Sequence, residues 1–189
     1  MKKLDETTVS STVVFSGDFL KIRRDIAALP NGLHARREYV VHPGAAAMVP
    51  LAEDGRILVE RQYRYSMRRT YYELPAGKLD AGETSLQTAK RELLEETGYV
   101  AAEWALLTQI HPAIGFSDEL MDIYLARGLT LREARLDEGE LLEIEWVTLG
   151  WLVDELRAGR LPDVKTQITV FWLEKLYSGE WPWPQFAPA

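Results

Sequence analysis

One run of residues, Gly77 to Tyr99, constrains this chain more than any other. It reads Gly77-Lys78-Leu79-Asp80-Ala81-Gly82-Glu83, then Thr84 to Lys90, then Arg91-Glu92-Leu93-Leu94-Glu95-Glu96-Thr97-Gly98-Tyr99. Thr84 with Gln87 has the pattern of a capping box, in which each residue satisfies an open backbone donor of the other, so a helix is expected from Ser85. Gly98 is expected to end it, because glycine enters the left-handed backbone past a helix end without steric penalty. Leu86, Ala89 and Leu93 fall at i, i+3 and i+7, an apolar stripe to pack on a sheet.

Glu92 and Glu96 are four apart, so their carboxylates leave one helix face, one above the other. Glu95 stands three from Glu92 and four from Arg91. Like charges at these spacings weaken a helix, so helix stability alone would not select the arrangement. A hard divalent cation would: Mg²⁺ takes carboxylate oxygens, keeps part of its water shell and bridges to substrate phosphates. A solvated Glu/Arg-rich face is the competing explanation. Against it, Gly77, Glu83, Arg91, Glu92, Glu95, Glu96 and Gly98 stand at fixed spacing. At about 7% usage each, such identities coincide by chance on the order of once in a hundred million windows.

Those same positions, closed by an apolar residue after Gly98, resemble the Nudix box. Tyr99 stands where that pattern has Ile, Leu or Val, and it still offers apolar surface. The resemblance implies an α/β (α+β) fold, the Nudix α/β/α sandwich with a mixed sheet. It also implies hydrolysis of a nucleoside diphosphate linked to another moiety. The cofactor it implies is Mg²⁺ or Mn²⁺, two or more ions per site, held at Ala76, Glu92, Glu95 and Glu96, with Arg91 and Glu95 among the catalytic residues.

Composition sets the outer bounds. At 189 residues, 47% of them hydrophobic, the chain can bury a sizeable core. The absence of cysteine excludes disulfides and thiolate metal sites and fits a reducing compartment. With 22 basic and 29 acidic residues the net charge is −7, which argues against nucleic acid or an anionic membrane as partner. No apolar run approaches the roughly 18 residues of a membrane span. The start, Met1-Lys2-Lys3-Leu4-Asp5-Glu6, lacks the apolar stretch of a signal peptide. A cytoplasmic protein is the expectation.

Taken in order, residues 1 to 10 are polar and are expected to be loose. Strands follow over Ser11–Phe15, Phe19–Ala28 and His34–His42, divided by turns at Ser16-Gly17-Asp18 and Pro30-Asn31-Gly32. They form an expected N-terminal antiparallel β unit, 1–43. Ala45–Leu51, Ile57–Tyr65, Tyr71–Leu74, Trp104–Ile110, Leu120–Ala126 and Leu142–Thr148 read as further strands, and Asp54-Gly55 as a hairpin turn. Helices are expected over Leu149–Ala158 and Asp163–Tyr177, the latter burying Ile168, Phe171, Trp172 and Leu176. Trp181-Pro182-Trp183-Pro184 cannot be helical and is expected along the surface. Strands, one helix, strands, then helices predict a mixed sheet between helical layers over 44–189.

The resemblance extends beyond the box. Arg37–Leu51, Arg61–Tyr65, Glu73–Gly77 and Gly115–Glu119 are similar to the ADP-ribose pyrophosphatase branch of the family. There the N-terminal unit implies a homodimer. Arg64 matches a substrate-binding arginine, a role suited to a side chain that grips phosphate oxygens bidentately; capping a sheet edge is the competing role. Arg37 could reach substrate across a dimer interface, or simply lie on a solvated strand face. Glu119 matches a polar position near the metals. In His111–Glu119, Ala113-Ile114-Gly115 replaces the branch's Ser-Pro-Gly. Hydrolysis also needs a carboxylate to take a proton from water or orient it. The matching loop holds Asp137-Glu138-Gly139-Glu140, and both Glu138 and Glu140 stand as candidates against an acidic solvent loop.

The expected activity is therefore Mg²⁺-dependent cleavage of ADP-ribose to AMP and ribose 5-phosphate. The alternatives are another nucleoside diphosphate sugar, such as ADP-glucose or GDP-mannose, or a ligand-sensing module without turnover. Sensing modules commonly lose box glutamates, and this box keeps them.

Overall fold

A computed structural model describes residues 4–132 and 141–189. By contacts the chain divides into two units. The first runs to Pro43 and takes in His111–Leu120; the second is Gly44–Ile110 with Met121–Ala189.

The first unit is an antiparallel sheet of β1 (Thr7–Ser16), β2 (Lys21–Ala28) and β3 (His34–Val41), in that order. Strand β1 starts at Thr7, not Ser11, because Thr7 and Thr8 find partners in Ala28 and Ala27. Its β-branched residues favour the pleat even without burial, and all of β1 is exposed, Val13, Val14 and Phe15 included. The segment 111–120 is tied to β3: Val40 N–H donates to Phe116 O at 2.8 Å, and His42 N–H to Asp118 Oδ1 at 2.7 Å.

In the second unit, β4 (Ala45–Pro50), β7 (Ala76–Lys78), β8 (Tyr99–Ile110), β9 (Met121–Leu131) and β11 (Ala187–Pro188) form a mixed sheet ordered β11-β8-β9-β4-β7. Within this sheet only the β4–β9 pair is parallel among the described residues. A second, antiparallel sheet holds β10 (Leu142–Val147), β5 (Ile57–Arg64) and β6 (Arg69–Glu73), with β5 in the middle. The helices are α1 (Ser85–Thr97), α2 (Leu149–Arg157) and α3 (Val164–Tyr177).

Strand β4 explains the layering. Every residue in it is buried, and successive side chains face opposite ways. Ala46 and Met48 enter a cluster with Ala89 and Leu93 of α1. Ala45, Ala47 and Val49 enter a larger core with Val59 of β5, Val147 of β10, Leu152 of α2 and Val170 and Leu173 of α3. Helix α1 thus covers one face of the mixed sheet, and the second sheet with α2 and α3 covers the other. This is the α/β/α arrangement expected from the element order.

Two expectations need correction. Helix α3 buries Thr166, Thr169, Val170, Leu173 and Leu176, while Phe171 is 55% exposed. The helix is turned so that polar groups at its N-terminal end reach buried partners, which outweighs burying one more aromatic ring. The tail does follow the surface, with Trp181 on Trp172 and Trp183 on Tyr177 in edge contacts, but it also adds β11 to the edge of β8. No helix among the described residues is long and apolar enough to cross a membrane.

Candidate active site

Helix α1 is fixed at both ends as its sequence requires. Thr84 N–H donates to Gln87 Oε1 at 2.8 Å, and Gln87 N–H to Thr84 Oγ1 at 3.3 Å. At the other end Gly98 has φ 74° and its N–H donates to Leu94 O at 2.9 Å. Ala89 and Leu93 are fully buried and Leu86 packs beside them, which holds the glutamates at a set height over β7.

Arg91 resolves the charge crowding. Its Nη1 donates to Glu92 Oε1 at 2.8 Å and to Glu95 Oε2 at 2.9 Å. Its Nε and Nη2 grip the two oxygens of Glu83 at 3.0 and 2.9 Å. Nη2 also reaches Lys78 O at 3.2 Å, joining helix to strand. Glu83 takes a further hydrogen bond from Thr88 Oγ1 at 2.7 Å, and Arg91 with Thr88 pulls its carboxyl down to a pKa of about 2. The Arg91 guanidinium is pushed up in turn, above all by Glu83. Sequence spacing gave Glu83 a place in the pattern and no job; here it anchors the arginine.

Glu92 rests against the backbone of β7 at Gly77, where a Cβ would come within 1.9 Å of its carboxylate. Only glycine admits that approach. Glu96 is buried on the same helix face, and Glu95 is the more open of the box carboxylates bound by Arg91. Ala76 opens β7 opposite Ala47 and has only a backbone oxygen to give a metal. These hard oxygen donors suit a hard divalent cation. Among the described residues no three acidic or histidine side chains converge on one point; Arg91 engages one oxygen each of Glu92 and Glu95.

Arg64, at the end of β5, is not a bare cation. Its Nε and Nη2 make a two-pronged pair with Glu73, 2.7 Å each, and its side chain stays 42% exposed. Burial works against the Arg64 charge and Glu73 more than offsets it, so its pKa rises. Glu73 is itself buried and takes a second cation, Lys165 Nζ, at 2.5 Å. Neither Glu73 nor Lys165 stood out in the sequence. The available signal was a lysine among the inward-facing positions of α3.

Arg37 and Glu119 lie in the first unit. Arg37 is exposed on β3 and paired with Glu6 at 2.6 Å; Glu119 is half-buried, with its carbonyl 2.7 Å from His111 Nδ1. Glu138 and Glu140 lie outside the described residues.

A family model of the NUDIX domain matches residues 41–167, most of the chain. The chain belongs to the Nudix family. In this Nudix protein the first unit has its own match, a nucleoside diphosphate sugar hydrolase N-terminal domain over residues 6–40. The Nudix chain is 38% identical to the ADP-ribose pyrophosphatase of Bacillus subtilis (strain 168), over 92% of this chain and 95% of that one. It is 38% identical to the methanol dehydrogenase activator of Bacillus methanolicus, with the same coverages. The ADP-ribose pyrophosphatase of Mycobacterium tuberculosis is 42% identical, over 80% of this chain and 72% of that one. A crystal structure of an ADP compounds hydrolase superposes with a TM-score of 0.84 at 22% identity, over 95% of this chain and 98% of that chain, a likeness of fold. Nudix hydrolases use a divalent metal, which agrees with the oxygen donors on α1.

Proposed function

We propose that this Nudix hydrolase cleaves the diphosphate bond of ADP-ribose, with Mg²⁺ at the box, to AMP and ribose 5-phosphate. The observation that carries this reading is the intact carboxylate set of α1, Glu92, Glu95 and Glu96, held over β7 in a chain whose relatives include two ADP-ribose pyrophosphatases. Water adds to one phosphorus, the bridging P–O bond breaks, and the departing phosphate keeps the bonding electrons. Glu138 or Glu140 takes the proton of the attacking water. Arg64 binds a phosphate oxygen through the guanidinium edge that Glu73 does not occupy, since the pair uses only Nε and one side of Nη2. Arg91 Nη1 bridges Glu92 and Glu95 and holds the two carboxylates in place. When bound at Glu92, Glu95, Glu96 and the Ala76 carbonyl, two or more Mg²⁺ ions supply Lewis-acid neutralisation of the diphosphate charge and make water more acidic.

We further propose a homodimer, with Arg37 and Glu119 of the first unit contributing to substrate binding. Its support is the run of apolar side chains on β1 that the described residues leave exposed, Phe15 at 50% among them.

The activity is tested by product analysis with purified protein, Mg²⁺ and a panel of ADP-ribose, ADP-glucose and GDP-mannose. AMP and ribose 5-phosphate from ADP-ribose, at the highest kcat/KM of the panel, is the expected result. Preference for a different sugar would move the assignment within the class, and no turnover of any of them would refute it.

A further inference from the structure

Behind Arg64 lies a buried lysine that shares its carboxylate partner. Glu73 lies between two cations and offers one oxygen, Oε2, to both: Arg64 Nη2 at 2.7 Å and Lys165 Nζ at 2.5 Å. The side chains of Glu73 and Lys165 are 4% and 6% exposed, whereas that of Arg64 is 42% exposed. Lys165 is therefore the inner clamp and Arg64 the outer, solvent-facing member.

The clamp is tied to α3 and to the entrance of the box. Lys165 Nζ also lies 3.2 Å from Asp163 Oδ2, the cap of α3, which accepts the Thr166 N–H at 3.0 Å. Thr166 Oγ1 receives the Leu74 N–H at 3.0 Å, so the residue after Glu73 is pinned to the same helix turn. Arg64, Tyr71 and Asp163 border a cavity of about 340 Å³, room for part of a ligand beside the guanidinium.

We propose that Lys165 is a positioning residue for Arg64: by fixing Glu73 from the buried side, it sets the guanidinium edge that meets the substrate diphosphate. This rests on the reading of Arg64 as a phosphate-binding residue given above. Without Lys165, the buried Glu73 carboxylate keeps Arg64 as its remaining close cation and draws it inward, away from the ligand. The consequence is a loss of binding, not of chemistry.

The test is a double-mutant cycle of Lys165→Met with Arg64→Ala, reading KM and kcat for ADP-ribose with Mg²⁺, and the thermal midpoint of each variant. Lys165→Met should raise KM about tenfold with kcat within about twofold. In the Arg64→Ala background the same change should leave KM where it is. If Lys165→Met does not fold, Lys165→Gln, which keeps a hydrogen-bond donor towards Glu73 but no charge, takes its place in the cycle with the same expectation. A wild-type KM in the Lys165 variant, or KM effects that multiply in the combined variant, overturns the inference alone. Arg64→Ala with a wild-type KM, or a wild-type protein inert on every nucleoside diphosphate sugar, overturns the reading of the site and the inference with it.

Discussion

Glu92 lies flush against Gly77, and a Cβ built on that glycine would stand 1.9 Å from both the carboxyl carbon and Oε1 of the glutamate. The contact joins the first position of the sequence pattern to its first metal-ligand candidate. Gly77→Ala would therefore push Glu92 off β7 while leaving the cores on either side of β4 untouched. Turnover should drop by about two orders of magnitude, as for a catalytic group displaced by about 1 Å. Circular dichroism should remain that of the wild type. An active Gly77→Ala enzyme would show that Glu92 need not occupy this place.

Glu96→Gln is nearly isosteric and removes charge from a buried position on α1. Turnover at saturating Mg²⁺ should fall at least about a hundredfold, while the metal-free thermal midpoint barely changes. Added Mg²⁺ should raise the midpoint of the wild type and not that of the variant. Near-normal turnover would remove Glu96 from the metal site.

The Glu83–Arg91 pair gives a pH signature. Its folded pKa of about 2 lies below the usual 4.5, so the pair stabilises the fold in full above pH 4.5 and less as pH falls towards 2. Glu83→Gln should thus melt earlier than wild type at neutral pH, and the difference should close across that window. A gap independent of pH would mean that packing, not the ionised pair, sets the contribution of Glu83.

Glu138 and Glu140 flank Gly139 and need not face the same way. A residue that orients or deprotonates water acts chiefly in the transition state, so its loss should lower kcat with little change in KM. Glu138→Gln is expected to show that effect strongly and Glu140→Gln mildly. Wild-type kcat for both across the pH profile would place the base elsewhere.

For assembly, light scattering at micromolar concentration should give twice the chain mass. Phe15→Asp, placed on the exposed face of β1, should shift the distribution to monomer. A monomeric wild type would rule out the dimer.

What the sequence made legible was local. Thr84, Gln87 and Gly98 describe α1 because capping is decided within a few residues. The crowded glutamates pointed to a cation, but the sequence left out how the fold bears them without one. Arg91 does so by reaching Glu83 across the turn before the helix. Arg64 stood out as a candidate phosphate ligand and its pairing with Glu73 did not, because the β5–β6 register sets Arg64 opposite Arg69 and Glu73 opposite Glu60, so cross-strand pairing alone does not join them. Lys165 lies 92 residues from its partner, beyond any local pattern. The inward face of α3 was misread for the same reason: Thr166 belongs there through its hydrogen bond to Leu74, which hydropathy does not register.

Strand β4 is the middle of the molecule's folding problem as well as of its sheet. It has no hairpin partner in the mixed sheet. Ala45 meets Met121 and Pro50 meets Ala126 in parallel register, with the whole of α1 and β8 in the intervening chain. Closing so long a loop costs entropy before any contact compensates it. The β8–β9 pair and α1, by contrast, rest on contacts close in sequence. The carboxylates of α1 come to lie over β7 only when β4 has entered between β7 and β9. Assembly of the face that bears the carboxylates is thereby coupled to closing that long loop, because without β4 in place α1 lacks Ala46 and Met48 to pack on and the site is not completed.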